Sequence, residues 1–235
     1  MMQASYSGPK RASEGPKVFA ATLIMLVAAL GSQLLTSCSS SSRDNEVIIS
    51  VKDQKMLLVS KGNPVQTYPV STSKFGLGCK NGSMCTPLGQ MEVAKKIGGG
   101  APAGAVFKSR KRTGEILRVN APGRDPIVSR ILWLNGKQPG NRNTYSRLIY
   151  IHGTPEERHI GHKVSYGCIR MKSRDIIKVY NQLAVGSRVQ IIPGSLRDTA
   201  AGRTYLSKRK STSRQRVTRL SIEPKTTEKP LKSAL

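Results

Sequence analysis

One short stretch and one upstream residue have the types needed for covalent chemistry. Cys168 lies in Ser165-Tyr166-Gly167-Cys168-Ile169-Arg170-Met171. His152 lies in Ile151-His152-Gly153-Thr154, with fifteen residues between the two. A thiol attacks carbonyl carbon as its thiolate, which needs a base or a nearby cation near neutral pH. Imidazole is the usual partner because it titrates close to working pH. Gly167 permits a tight turn that holds the thiol at a corner. It also leaves the N–H groups of Gly167 and Cys168 free to face a tetrahedral oxyanion. This is the pattern of cysteine acyl transfer. A lone Cys also serves as a small buried apolar side chain, so the pair alone leaves both readings open.

Other candidates carry less. His159 and His162 sit beside Glu156, Glu157 and Lys163 and read as solvated loop residues. With His152 they lack the i,i+4 or carboxylate-rich pattern of a zinc site, so no metal and no organic cofactor is expected. Trp133 and Tyr150 either line the cleft or pack in the core.

The elements that must position these residues are mostly strands. Val47 to Val51, Lys55 to Ser60 and Val65 to Val70 are short runs separated by turn residues, the mark of hairpins. Gln90 to Lys95, Ile131 to Leu134 and Leu148 to Ile151 continue the pattern. Gly98 to Ala105 is too rich in Gly for an element interior. Ser173 to Leu183 alone has helical periodicity, with Ile176, Ile177, Val179, Tyr180 and Leu183 apolar. Ser173 is the expected N-cap, with Asp175 in the first turn. The helix start lies close enough after Cys168 to suggest that its dipole favours thiolate. Arg188 to Ile192 is a last strand, stopped by Pro193-Gly194. The expectation is a mainly β domain, sandwich-like or barrel-like, over residues 46–193, with one helix after the Cys.

The flanks differ in composition. Residues 1–45 carry Lys10, Arg11 and Lys17, then Val18 to Leu30 with no charge and no Pro, then a Ser-rich linker. That apolar run is short for a membrane span and suits a signal sequence. Leu35-Thr36-Ser37-Cys38 resembles a bacterial lipobox, in which Cys38 takes the lipid; an uncleaved anchor is the alternative. Either places the chain outside the cytoplasm, anchored to a membrane and facing periplasm or wall. In an oxidising compartment Cys79 and Cys85 are candidates for a disulfide. Residues 194–235 hold 11 basic and 3 acidic residues and few large apolar ones. They read as a disordered arm, either solvated or touching anionic wall or lipid. The whole 235-residue chain has a net charge of +26, which favours polyanions. Only 5% of residues are aromatic, which argues against a nucleic-acid stacking platform. Export argues against nucleic acid as well.

The motif resembles the YkuD-type L,D-transpeptidase family, whose His-Gly/Ser-Thr/Asn segment is followed by Ser-His-Gly-Cys-(Ile/Val)-Arg-(Leu/Met). Tyr68 to Ser73, Thr86-Pro87-Leu88-Gly89 and Ile131 to Leu134 are similar to further stretches of that family, in the same order. The resemblance implies a peptidoglycan cross-linking enzyme with Cys168 as nucleophile, His152 as base and stem peptides as substrate. Ser165, Gly167, Arg170 and Gly153 would then shape the oxyanion or substrate pocket. One departure is Tyr166, where the family carries His. Its phenol is expected either to reach the oxyanion or substrate, or to pack.

Overall fold

A strand that is apolar at every position needs cover on both faces, whereas an alternating strand needs it on one. The segments Val47-Ile48-Ile49 and Met56-Leu57-Leu58-Val59 are of the first kind. The computed structural model describes residues 44–222, with side chains of the last helix to residue 213. The N-terminal apolar segment and Cys38 lie outside the described residues. The strands are β1 (Asn45–Ser50), β2 (Lys55–Ser60), β3 (Asn63–Pro69), β4 (Gly89–Ile97) and β5 (Ala105–Lys108). They continue with β6 (Lys111–Ile116), β7 (Ile127–Gly136), β8 (Tyr150–Thr154), β9 (Ile169–Lys172) and β10 (Arg188–Ile192).

All ten join one hydrogen-bonded sheet in the order β3-β2-β1-β10-β4-β7-β5-β6, with β8 paired to β7 and β9 to β8. The β1/β10 and β8/β9 pairs are parallel. β7 bulges between Val128 and Ile131, where Ser129 has φ +70°. That bend lets one strand pair with β5 at its start and with β4 further along. Val47, Ile49, Leu58, Met91, Leu132, Ile151, Ile169 and Ile191 share one buried cluster, so the sheet curls around it.

Helix α1 (Ser173–Gln182) closes this core with Ile176 and Val179, and Leu183 just beyond its end. That spacing is the apolar stripe expected for a helix lying on a sheet. The expected cap is displaced by one residue. Lys172 is the N-cap, and the Ser173 N–H donates to Glu157 Oε1 at 2.8 Å. The Ser173 hydroxyl instead accepts from Ser129 Oγ at 2.9 Å. A carboxylate from a distant loop thus caps the helix and complements its dipole.

The C-terminal residues correct the sequence reading most clearly. The described part of the tail is ordered: a 3-10 turn at Leu196–Asp198 leads into helix α2 (Ala200–Ile222), so the described residues hold two α-helices rather than one. The Asp53 carboxylate accepts from Ser195 Oγ and from the Leu196 N–H, at 2.9 and 2.7 Å. Leu196, Ala201 and Tyr205 then cover Ile48, Leu57 and Val59 on the outer face of β1 and β2. Burying a Leu side chain of this kind contributes roughly 2 kcal/mol. The tail is retained because the doubly apolar strands need a second layer.

Candidate active site

Parallel pairing of β8 with β9 sets the site. The register aligns Ile151 with Ile169 and His152 with Arg170. Side chains alternate along each strand. Ile151, Ile169 and Met171 all point into the main core. Tyr150 and His152 on β8, and Cys168 and Arg170 on β9 and just before it, therefore share the opposite face. Cys168 packs there against the cluster of Trp133, Tyr150 and Tyr145. The sequence reading paired Cys168 with His152 across a loop; the sheet brings the two residues onto one face directly.

The thiol is held by backbone. The Tyr150 N–H donates to Cys168 Sγ at 3.4 Å, and Sγ–H points to the Leu148 carbonyl at 3.5 Å. Ser165 Oγ donates to the Cys168 carbonyl at 2.6 Å, and Thr86 Oγ1 to the Gly167 carbonyl at 3.0 Å. Ser165 is fully buried, and its hydroxyl holds the turn that carries Cys168. Gly167 has φ +112°, and a Cβ there would lie 3.3 Å from the Cys85 carbonyl and from Ile149 Cδ1. The N–H groups of Gly167 and Cys168 donate no hydrogen bond among the described residues. Burial pushes the Cys168 thiol up to about 11, against the opposing pull of the Tyr150 N–H, Arg170 and Arg147. The helix dipole gives no help, because β9 carries the chain four residues away from Cys168 before α1 begins.

His152 Nδ1 lies 2.9 Å from the Gly153 carbonyl. A carbonyl only accepts, so Nδ1 carries the proton and Nε2 of the neutral ring is left unprotonated. Burial pulls His152 down to about 4, and the Arg170 charge adds to the effect, while the Gly153 bond and Asp125 oppose it. Both partners are thus neutral at pH 7. Gly153 serves the strand pairing: a Cβ there would meet the Val128 carbonyl at 2.5 Å. Arg170 Nη1 pairs with Asp125 Oδ2 at 2.6 Å, both largely buried, and the Thr154 hydroxyl donates to the other oxygen of Asp125.

Tyr166 stands apart from the thiol's own contacts. Its side chain is exposed, its phenol accepts from Lys74 Nζ at 3.1 Å, and its ring lies 5.5 Å from that of Phe75. The phenol is thus engaged by Lys74 at the surface, while the Arg170 guanidinium lies 5.9 Å from the ring centroid. Cys79 and Cys85 are free thiols, where a disulfide was expected. Cys85 Sγ donates to the Phe75 carbonyl at 3.1 Å. His159 pairs with Glu156 at 2.9 Å in the loop.

Three residues of the site went unnoticed in the sequence. Asp125 is one of only 13 acidic residues in a chain of net charge +26, which was a usable signal. Arg147 donates to the carbonyls of Gly78 and Cys85 at 3.0 and 2.8 Å, and Asn143 to that of Cys79 at 2.6 Å. Together they fasten the loop over Gly167.

Residues 44–191 match the YkuD family, the L,D-transpeptidase catalytic domain. The chain therefore belongs to the L,D-transpeptidase family. Among relatives, it is 40% identical over 148 residues to the family protein YqjB of Bacillus subtilis, covering 63% of this chain and 71% of YqjB. It is 40% identical over 73 residues to the Escherichia coli family protein ErfK/SrfK, covering 30% of this chain and 24% of that one. The chain spans a quarter or less of the length of the Escherichia coli relatives named ErfK/SrfK and YbiS. A solved structure, L,D-transpeptidase 3 from Mycobacterium tuberculosis in complex with a faropenem-derived adduct, is 18% identical with a TM-score of 0.42. It covers 63% of this chain and 60% of the other.

Proposed function

We propose that the protein is a peptidoglycan L,D-transpeptidase that works through a thioester on Cys168, with His152 as proton acceptor and donor. The observation that carries this is the β8/β9 register, which sets a half-buried thiol and a tautomer-fixed imidazole on one face of the sheet.

His152 Nε2 takes the proton of Cys168 Sγ as the sulfur attacks the carbonyl carbon of a stem peptide. The resulting oxyanion sits at the N–H groups of Gly167 and Cys168. Collapse breaks the C–N bond, and the terminal D-Ala leaves as an amine carrying the proton from His152. An acceptor amine then attacks the thioester, gives its proton to His152, and the sulfur leaves to be reprotonated. Arg170, tied to Asp125, supplies a fixed positive charge beside both reacting side chains. Water as the second nucleophile would give an L,D-carboxypeptidase, and a site that never acylates would leave a wall-binding module.

The test is incubation with a tetrapeptide muropeptide. Release of D-Ala, a mass increment on Cys168 and a cross-linked dimer are expected. Free tripeptide without dimer would replace transfer by hydrolysis, and absence of any acylation would overturn the reading.

We further propose that the chain is exported and anchored through Cys38, with the basic helix α2 lying toward an anionic surface. Its segment 200–222 carries seven Lys/Arg and no Asp/Glu. A Cys38→Ser variant is expected to leave the membrane fraction; retention there would overturn lipid anchoring.

A further inference from the structure

A hairpin near the nucleophile adopts a costly turn. Lys108 of β5 pairs with Lys111 of β6, so Ser109 and Arg110 form a two-residue loop. Both have positive φ, +49° and +67°. That geometry is the one Asn and Gly favour, and an L side chain there costs about 1 kcal/mol per residue. Strain of this kind persists where the side chain is wanted in that place.

The side chain goes to an aromatic wall. Trp133 stacks on Tyr145 with centroids 4.1 Å apart and meets Tyr150 edge-on at 5.4 Å. Trp133 Nε1 donates to the Tyr145 carbonyl at 3.0 Å, which fixes the stack. The Arg110 guanidinium lies 5.1 Å over Trp133, and its Nη1 donates to the Tyr150 phenol at 3.3 Å. From β4, Lys95 Nζ reaches 5.7 Å from Trp133 and 5.9 Å from Tyr145. Two cations thus converge on one wall, and among the described residues neither forms an ion pair. Tyr150 links the wall to the chemistry. Its phenol receives Arg110, while its backbone N–H donates to Cys168 Sγ.

We propose that Arg110 and Lys95, presented on the Trp133–Tyr145–Tyr150 wall, form an anion subsite that takes a free carboxylate of the donor stem peptide beside Cys168. Cations held against one wall without a protein carboxylate are relieved by an anionic ligand. A guanidinium fork matches a carboxylate in a bidentate manner, and the wall leaves it oriented before binding. The subsite lies about one tyrosine side chain from the sulfur, so the carboxylate belongs to a residue next to the scissile bond or its near neighbour. The assignment rests on the acyl-transfer reading for the identity of the ligand.

The test is made on binding, so that it does not depend on turnover. In a Cys168→Ala background, calorimetry would compare a tetrapeptide bearing free carboxylates with the same peptide fully amidated. Arg110→Gln keeps a donor for Tyr150 but removes the charge. It is expected to weaken the acidic peptide about 10-fold to 30-fold and to leave the amidated one unchanged. Arg110→Lys should recover part of the loss. Equal affinity of Arg110 and Arg110→Gln proteins for the acidic peptide would overturn the subsite. Equal loss for both peptides would overturn it in favour of a packing role for Arg110. Arg110→Gly, which relieves the turn, serves as a fold control by thermal melting. Turnover of the tetrapeptide by the unmodified protein is read separately and judges only the acyl-transfer reading.

Discussion

Replacing Cys168 with Ala is expected to remove D-Ala release from a tetrapeptide donor, lowering the rate by at least about 10³-fold and abolishing the mass increment on the protein. Cys168→Ser should be nearly as inactive. A serine hydroxyl titrates far above a thiol, and His152 is too weak a base in its buried setting to activate it. The fold should tolerate either change. The thiol makes two weak sulfur contacts and is only partly buried, so melting should move by no more than a few degrees. Retained release in Cys168→Ala would remove Cys168 from the chemistry. The resting state adds a second measurable consequence. A thiol held at about 11 is ionised to only about one part in 10⁴ at pH 7. Alkylation by neutral iodoacetamide should therefore climb with pH through 9 and 10 without levelling. A plateau reached by pH 7 would mean a preformed thiolate–imidazolium pair and would contradict the neutral ground state.

How far the sequence could be read follows from which interactions are local. Helix α1 is legible because Ile176, Val179 and Leu183 repeat along one stretch, and β8 and β9 because their apolar residues are contiguous or alternate. The motif itself reports the turn at Gly167, since few residues other than Gly accept its φ. What escaped is carried by contacts across long separations. The cap of α1 comes from Glu157, not from Ser173. The orientation of Arg170 comes from Asp125 in a Gly/Pro-rich loop, 45 positions upstream. The tail is the clearest case. The apolar residues at its start, Leu196, Ala201 and Tyr205, look insufficient in isolation. The demand for them lies in β1 and β2, where an unbroken apolar run already announces a second buried face. Reading the strands for what they lack, rather than the tail for what it contains, would have placed an ordered segment over them. Tyr166 illustrates the opposite limit. Its place in the motif leaves a role at the oxyanion or substrate and a packing role both open, and nothing in the local sequence announces its contacts with Lys74 and Phe75.

The substitution His152→Gln is expected to slow acylation by about 10²-fold to 10⁴-fold, the usual contribution of a general base. It tests more than the base itself, because His152 is buried and neutral. Its folded value of about 4 lies below the ordinary 6.5, so the unfolded chain binds a proton in the interval between them and the folded chain does not. The contribution of this group to stability is therefore present above pH 6.5 and is lost as pH falls toward 4. Integrated over that interval the loss is roughly 3 kcal/mol. Urea unfolding at pH 7 and at pH 4.5 should show a steeper acid loss for the unmodified protein than for His152→Gln, since the variant has no group to titrate there. The same low value governs catalysis. The acid limb of kcat/KM reports the free enzyme, so activity should persist down to about pH 4 to 5 rather than falling through 6.5. An acid limb near 6.5, with no difference in acid stability between the two proteins, would show His152 to be solvated and charged at mild acidity. That outcome would remove the neutral-pair mechanism even if Cys168 remained the nucleophile. The Gly153 carbonyl makes the expected result specific to His152. It fixes the proton on Nδ1 and leaves Nε2 as the one ring atom able to receive the thiol proton. A Gln side chain can keep the bond to that carbonyl but cannot accept and return a proton, so packing and proton transfer are separated in a single variant.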